Sequence, residues 1–138
     1  MVNSKKIRLQ TRGNCEIADI TSEVSQAVME SGLKAGTVTV FVSGSTAGVT
    51  TVEYEPGLIA DLQAAFERLV PRGIGYQHDR RWGDGNGYAH VRASLLGASL
   101  VLPFADGRPM LGTWQQVVVI DFDNRPRARE IILQVTGE

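Results

Sequence analysis

Hydrophobic residues alternate with polar residues over several short stretches of the chain, which is typical of β-strands. Residues 5–11 and 37–42 alternate in this way, and the second of these stretches is rich in β-branched residues. Residues 114–122 have a nearly continuous apolar centre and are also predicted to form a strand. With shorter runs of the same kind, the pattern predicts seven or eight strands; the remaining runs are 15–20, 49–54, 100–104, 109–111 and 130–135.

Two other stretches carry apolar residues at the 3.6-residue spacing of an amphipathic helix. The first begins after Thr21 or Ser22, either of which can cap a helix, and ends at Gly32. The second begins at Pro56, where proline suits the first helical position, and ends before Pro71. Two main helices are therefore predicted.

Turn residues indicate how the strands connect. The Gly/Ser/Thr-rich residues 44–48 separate two predicted strands and suggest a hairpin, and Asp106-Gly107 is a strong signal for a second one. Residues 89–96 are compatible with a short helix or a strand. Because strands and helices do not alternate regularly, we predict an α+β fold, a mostly antiparallel β-sandwich in a single domain over residues 1–138.

Composition narrows the class of protein. Hydrophobic residues make up 43% and charged residues 21% of the 138 residues, as in ordinary globular domains. The formal net charge of −1 gives no electrostatic reason to expect nucleic acid or an anionic membrane as partner. No apolar stretch has the length of a signal peptide or membrane span, so a cytoplasmic protein is expected. The single cysteine, Cys15, excludes an intrachain disulfide and is predicted to be a buried or half-buried small residue.

Reactive side chains are concentrated in residues 76–92, YQHDRRWGDGNGYAHVR. This stretch contains both histidines of the chain, His78 and His90, with Trp82, three arginines and two aspartates. Residues 83–87 are rich in glycine, so we predict a loop whose backbone N–H groups turn into a cavity. The stretch is the first candidate for a functional site.

One hypothesis for this stretch is a divalent metal bound by His78 and His90, with Glu53 or Asp84 as the carboxylate ligand. Imidazole with carboxylate suits zinc, iron or manganese, and magnesium is a further candidate. Without a metal, the two histidines would act as general acid and base, because imidazole titrates near neutral pH. The alternative is a hydrogen-bonded pair of structural histidines.

A second hypothesis is recognition of a small phosphorylated molecule. All nine basic residues after position 67 are arginines, and arginine pairs well with phosphate. Arg80, Arg81, Arg92 and Asn86 would assist the glycine-rich turn in binding the anion. The alternative is a tight turn with ordinary surface charges.

Further substrate-binding candidates lie outside the central stretch. Ser45 and Thr46 can donate hydrogen bonds into a pocket, and Arg127 can bind an anion or lie exposed in a turn. Trp114 and Gln115 stand at the start of a predicted strand, where the tryptophan is expected in the core more often than as a stacking platform.

Two long strings resemble a known protein family. DGNGYAHVRASLLGASLVLPF (residues 84–104) and LGTWQQVVVIDFDNRPRAR (residues 111–129) are similar to the YjbQ family, to which a secondary thiamine-phosphate synthase activity is attributed. The resemblance covers nearly the whole chain. One departure is Gly44, which stands where many relatives carry a histidine, and another is Glu53-Tyr54 in place of a Glu-Asn pair.

The resemblance implies a compact α+β sandwich, commonly a homotrimer, with a polar pocket that contains the family's histidines and acidic groups. It favours a small-molecule enzyme with a site around His78, His90 and Glu53. The competing class is a non-catalytic trimeric module in which the same stretch makes contacts at a subunit interface. The location of these side chains distinguishes the two classes.

Overall fold

The protein forms an α+β fold of eight strands and four helices in the computed structural model, which describes all residues from Met1 to Glu138. The strands are β1 (Val2–Thr11), β2 (Glu16–Asp19), β3 (Ala35–Ser43), β4 (Ala47–Val52), β5 (Ser99–Ala105), β6 (Arg108–Pro109), β7 (Gln116–Asp121) and β8 (Arg127–Gly137). The helices are α1 (Thr21–Ser31), α2 (Pro56–Leu69), α3 (Gln77–Trp82) and α4 (Gly87–Leu96).

The strands form two antiparallel sheets, one of which is curled into a half-barrel. The larger sheet has the order β1-β8-β3-β5-β6, and the smaller has the order β2-β7-β4. The predicted α+β class with antiparallel sheets is confirmed. Strand β1 lies at an edge of the larger sheet and pairs with β8 along its whole length.

Strand β7 lies at the centre of the smaller sheet and is buried on both faces. Val117 and Val119 pack in the core shared with the larger sheet and α1, whereas Val118 and Ile120 pack in a second core against α2 and α4. This explains why the sequence of β7 is continuously apolar rather than alternating. Complete burial of each such side chain stabilises the fold by roughly 1.5–3 kcal/mol.

One predicted hairpin is confirmed and the other is wrong. Strands β5 and β6 pair across the Asp106-Gly107 turn. Strands β3 and β4 do not form a hairpin, because β3 pairs with β5 and β8 whereas β4 pairs with β7. Residues 44–46 therefore carry the chain from one sheet to the other.

Within the stretch 76–92, the predicted loop is confirmed only for residues 83–86. Helix α3 fills its first part and α4 begins at Gly87, which leaves only residues 83–86 between the two helices. Gly83 ends α3 in the left-handed conformation at φ 67°. The stretch at 89–96 is helical, and the fold has four helices where two main ones were predicted.

Two single-residue predictions have opposite outcomes. Cys15 is buried as predicted, with 6% of its surface exposed. Trp114 is 73% exposed, so its predicted place in the core is wrong. It stands in the segment before β7, and most of the indole faces solvent.

No helix of the fold is both long enough and apolar enough to cross a membrane.

Candidate functional site

The antiparallel pairing of β4 and β7 divides the predicted site residues between two ends of the smaller sheet. Thr46 comes just before β4 and lies beside the end of β7 at Asp121. Glu53 comes just after β4 and lies beside the start of β7 at Gln116. A strand advances about 3.4 Å per residue, so Thr46 and Glu53, seven residues apart, are separated by about 24 Å. We call these regions the Asp121 end and the Gln116 end.

At the Asp121 end, the buried carboxylate of Asp123 accepts hydrogen bonds from three side chains. Its Oδ2 accepts from Thr46 Oγ1 at 2.8 Å, from Asn86 Nδ2 at 3.1 Å and from Arg127 Nε at 3.0 Å. Burial opposes ionisation of Asp123, but these hydrogen bonds outweigh it and lower the pKa of the carboxyl below its ordinary value. Asp123 is therefore a fixed anion that ties β7, β8 and α4 together.

A second buried carboxylate, Asp121, pairs with Arg129. Arg129 donates through Nε to Oδ2 at 2.6 Å and through Nη2 to Oδ1 at 2.8 Å, which is a bidentate arrangement. Thr11 Oγ1 also donates to Oδ2 at 2.5 Å. Since Asp121 belongs to the smaller sheet and Arg129 to the larger one, this pair joins the two sheets.

Gly44 lies directly over the Arg129 guanidinium. Its φ is +148°, and a Cβ placed there would lie 2.7 Å from Arg129 Nη1. Arg129 Nη2 also donates to Thr46 Oγ1 at 2.6 Å, so the guanidinium is held in place. The Gly44 position, where the resemblance implies a histidine, has no room for a side chain unless Arg129 moves.

Both histidines are brought together next to this network. His78 is on α3 and His90 is on α4, and their ring centroids are 4.3 Å apart with planes tilted by 38°. Burial and the neighbouring His78 lower the pKa of His90, while Asp84, Asp123 and Asp79 act in the opposite direction. The histidines, Asp84 and Asp123 thus form one electrostatic unit.

The approach of α3 to α4 depends on Gly87. A Cβ at this position would lie 2.7 Å from Tyr76 Cβ and 3.0 Å from Asp79 Oδ1. The bare backbone instead lets Gly87 N donate to Asp79 Oδ1 at 2.8 Å. This contact fixes Asp79 beside His78.

His78, Asp79 and Asp84 each offer one potential metal-ligating atom, and these atoms lie within 4.8 Å of one another. His78 Nδ1 is 3.6 Å from Asp79 Oδ1 and 3.5 Å from Asp84 Oδ1, beyond hydrogen-bond distance for this pair of groups. This nitrogen is buried and makes no hydrogen bond within the protein. A cation or a proton donor would satisfy it.

The Gln116 end holds the other predicted residues. Glu53 and Trp114 line a cleft of about 430 Å³ together with Tyr54 and Gln116. Gln115 supports the preceding turn, since its Oε1 accepts from Gly112 N at 3.0 Å and its Nε2 donates to Thr51 Oγ1 at 3.0 Å. The structure therefore separates Glu53 from the histidines with which the sequence grouped it.

Of the residues predicted to bind an anion, some are buried and bonded within the protein and others are exposed. Arg92 is buried and donates to Val70 O and to Glu67 Oε2, so it faces away from the histidines. Asn86 is also used internally, because its Oδ1 accepts from Asn124 N at 3.1 Å and its Nδ2 binds Asp123. Ser45, Arg80, Arg81 and the glycine-rich residues 83–85 are exposed.

The sequence interpretation missed Asp79, Asp121, Asp123 and Arg129 as site residues. A signal was available for three of them: an Asp-x-Asp pair begins at Asp121, the last residue of β7, and Arg127 and Arg129 form an Arg-x-Arg pair at the start of β8. Side chains two residues apart on a strand share a face. The Asp-x-Asp and Arg-x-Arg pairs, which lie near the ends of successive strands, therefore indicated possible ion pairs between β7 and β8.

Comparison with known proteins identifies relatives along almost the whole chain. The sequence profile of the family described as "UPF0047 protein YjbQ-like" matches residues 5–138. A UPF0047 protein of Archaeoglobus fulgidus is 41% identical over 129 residues, which cover 94% of this chain and 98% of the relative. The UPF0047 protein YugU of Bacillus subtilis is 32% identical over 135 residues, which cover 96% of this chain and 98% of the relative.

Solved structures show the same fold. A crystal structure of a YbjQ-like protein of unknown function from Sulfolobus solfataricus superposes with a TM-score of 0.90 at 30% identity and covers 100% of both chains. An uncharacterised conserved protein of the YjbQ/UPF0047 family from Clostridium acetobutylicum gives a TM-score of 0.87 at 32% identity, over 96% of this chain and 99% of the other.

Proposed function

The chain belongs to the YjbQ-like UPF0047 family, and from this premise we propose that it is a small-molecule enzyme in which His78, Asp79 and Asp84 hold a divalent cation. The observation that carries the proposal is His78 Nδ1, which is buried between two carboxylates and has no hydrogen-bonding partner. A buried polar atom without a partner costs free energy that a bound ligand would recover.

The donor set fits a divalent cation. Asp79 Oδ1 accepts from Gly87 N and Asp84 Oδ1 accepts from Asn86 N, so the backbone orients both carboxylates and their Oδ2 atoms have no hydrogen-bonding partners. One imidazole nitrogen with two carboxylates suits zinc or manganese better than magnesium, which prefers oxygen ligands. A bound cation of this kind supplies Lewis-acid chemistry to an oxygen of the substrate.

His90 is the residue best placed to exchange a proton with a substrate. Its ring lies against His78 with centroids 4.3 Å apart, but it does not belong to the group of three ligand atoms. An imidazole titrates near neutral pH and so can serve as acid or base. In this proposal His78 binds the cation and His90 transfers the proton.

A phosphorylated substrate is supported by the charges on α3. Arg80 and Arg81 lie in the last turn of this helix, are exposed and form no ion pair with an acidic residue. Arg81 lies over the exposed Trp82 ring at 5.4 Å from the centroid. Arg81 follows His78 by one helical turn, so its guanidinium is the one of the two that would provide positive charge for a phosphate on the same face.

The specific reaction that we propose to assay is formation of thiamine phosphate. In this reaction the thiazole nitrogen attacks the methylene carbon of the pyrimidine diphosphate, a C–N bond forms, and the C–O bond to the diphosphate breaks. The leaving diphosphate carries the bonding electron pair away as negative charge. In this proposal Arg81 neutralises part of that charge.

Metal binding is tested by calorimetry and elemental analysis with Zn²⁺, Mn²⁺ and Mg²⁺ on untagged protein. We expect one equivalent of Zn²⁺ or Mn²⁺ in the wild type and its loss in His78→Ala and Asp84→Asn. His90→Ala should retain the metal, and Asp106→Asn, in the exposed β5–β6 turn, is the matched control. Absence of binding in the wild type, or equal binding in His78→Ala, contradicts the proposal.

Catalysis is tested separately by following thiamine phosphate in the metal-loaded protein. We expect His90→Ala to lower the rate at least tenfold while the metal remains bound, since general acid–base catalysis contributes about 10²–10⁴-fold. If product forms at the same rate in the wild type and in His90→Ala, the role given to His90 is wrong.

We also propose that the chain assembles as a homotrimer through the outer face of the larger sheet. Phe41 and Val101 are 38% and 58% exposed on that face. Register places Phe41 beside Ile132 and one diagonal step from Val101, so three adjacent strands carry one apolar patch. Exposed patches of this kind favour association between copies. The alternative function, a non-catalytic trimeric module, requires the histidines instead of this patch at the interface.

A further inference from the structure

Besides the cleft at the Gln116 end, another cleft lies on the side of α4 that faces away from the histidines. It is bounded by the end of α2 and the turn that joins β1 to β2. It has a volume of about 250 Å³, and neither histidine lines it. The lining side chains that matter here are Cys15, Glu67, Arg72, Tyr88 and Arg92.

Tyr88 contributes a buried hydroxyl to this cleft. Only 3% of the residue is exposed, and its Oη makes no hydrogen bond within the protein. Burial raises the pKa of the phenol, whereas the nearby Arg72 and Arg92 act in the opposite direction. The group is therefore a protonated donor at neutral pH that lacks an acceptor.

Arg92 adds a buried cation that is only partly paired. It is 3% exposed and lies over the Tyr88 ring at 4.9 Å. Its Nε and Nη2 donate to Val70 O at 3.0 and 2.9 Å, and Nη2 also donates to Glu67 Oε2 at 2.7 Å. Its Nη1 has no hydrogen-bonding partner, so donor capacity remains on the guanidinium.

The positive charges and hydrogen-bond donors of the cleft exceed the negative charges and acceptors that the protein places there. Glu67 is its one carboxylate, and it already accepts from Arg92 Nη2 and from Arg72 N at 3.2 Å. Arg72 Nε is 3.4 Å from Glu67 Oε2, and the Arg72 guanidinium lies beside the Tyr88 hydroxyl, so both groups face the cleft. Burial raises the pKa of the Cys15 thiol, so this residue adds no negative charge at neutral pH.

We propose that this cleft binds a small oxyanion, the phosphate or carboxylate group of a small molecule. Tyr88 Oη, Arg92 Nη1 and the terminal nitrogens of Arg72 donate to its oxygens. Two guanidinium groups against one carboxylate leave a net positive charge that the anion neutralises. The site is independent of the cation site at His78, because the two share no lining residue.

Calorimetric titration with inorganic phosphate tests this site in the full-length protein. Tyr88→Phe removes one donor without removing the ring, and the loss of a buried unpaired hydroxyl should not destabilise the fold. We expect Tyr88→Phe and Arg72→Gln each to weaken phosphate binding about tenfold, which corresponds to about 1.4 kcal/mol. Arg68→Gln, which removes the same charge from an exposed position near the end of α2, is the matched control and should bind as the wild type does.

A second readout uses the only cysteine of the chain. Because Cys15 lines the cleft, its rate of alkylation by iodoacetamide should fall when phosphate is bound. Acetate in place of phosphate distinguishes the two sources of the oxyanion. Protection by acetate alone assigns a carboxylate ligand, and protection by phosphate alone assigns a phosphorylated one.

The variants also separate this site from the proposed catalytic one. His78→Ala should abolish metal binding and leave phosphate protection of Cys15 unchanged. If phosphate binding is lost in His78→Ala and unchanged in Tyr88→Phe, the anion binds at the histidines and the inference is overturned. It is overturned equally if neither phosphate nor acetate binds and Tyr88→Phe merely raises the midpoint of thermal unfolding.

Discussion

The imidazole rings of His78 and His90 lie 4.3 Å apart although they belong to separate helices. The hydrogen bond from Gly87 N to Asp79 Oδ1 holds the start of α4 against α3 and makes this contact. The chemistry of the proposed site therefore depends on a backbone position that carries no functional group.

The first prediction is that Gly87→Ala separates the two histidines. Alanine would ordinarily favour a helix by about 1 kcal/mol. Here its Cβ would lie 2.7 Å from Tyr76 Cβ, so α4 must shift away from α3. We expect a lower affinity for Zn²⁺ or Mn²⁺ and changed imidazole chemical shifts in NMR spectra. Gly73→Ala, where an added Cβ meets no atom within 4 Å, is the control and should change neither.

The second prediction concerns the ion pair that joins the sheets. Asp121→Asn leaves the buried Arg129 guanidinium without its bidentate carboxylate. Removal of one partner of a buried pair costs about 3–5 kcal/mol. Urea unfolding should show this loss, whereas Asp106→Asn in an exposed turn should remain within about 0.5 kcal/mol of the wild type. A similarly small effect of Asp121→Asn would mean that the pair does not hold the sheets together.

The third prediction is that a side chain at position 44 is not tolerated while Arg129 keeps its place. Gly44→Ala combines a φ of +148° with a Cβ that would lie 2.7 Å from Arg129 Nη1. We expect a loss of about 1–3 kcal/mol in the free energy of unfolding, because alanine is strained at this φ and the guanidinium must move. Gly73→Ala again serves as the control. If Gly44→Ala unfolds at the wild-type urea concentration, the contact with Arg129 is not restrictive.

The fourth prediction follows from the lowered pKa of Asp123. A carboxyl whose folded-state pKa is below its unfolded value stabilises the fold above that value, and this contribution is lost as the pH falls through the folded pKa. The unfolded state binds the proton first, so the free energy of unfolding should decrease from about pH 4 downward. Asp123→Asn should be less stable at neutral pH and should show a shallower decrease between about pH 5 and pH 3. Identical pH slopes for the two proteins would contradict the role of Asp123.

The fifth prediction concerns self-association. Val101→Glu places a charge on the outer apolar patch next to Phe41 and should convert the proposed trimer to monomer. Light scattering coupled to size-exclusion chromatography measures the mass directly. Leu69→Glu, which places the same charge on an exposed apolar residue at the end of α2 and away from the larger sheet, should leave the mass unchanged. A Val101→Glu protein with the wild-type mass would rule out this face as the interface.

The sequence by itself determined the elements whose pattern is local. The apolar run of β7, the helical spacing of α2 and the Asp106-Gly107 turn each depend on neighbouring residues, and each element formed as predicted. The family was also readable from two continuous strings, and residues 76–92 were identified as rich in reactive groups. Helix α3 in this stretch was missed, because its contact with α4 across Gly87 is tertiary.

Only the tertiary structure decided which reactive groups meet. Strand pairing placed Glu53 about 24 Å from Thr46, at the opposite end of β4, and thereby separated it from the histidines. It also joined Asp121 of one sheet to Arg129 of the other, through contacts between strands that neither residue's neighbours encode. Residue type and spacing identify the available chemistry, whereas the packing of two sheets and the helices selects the partners.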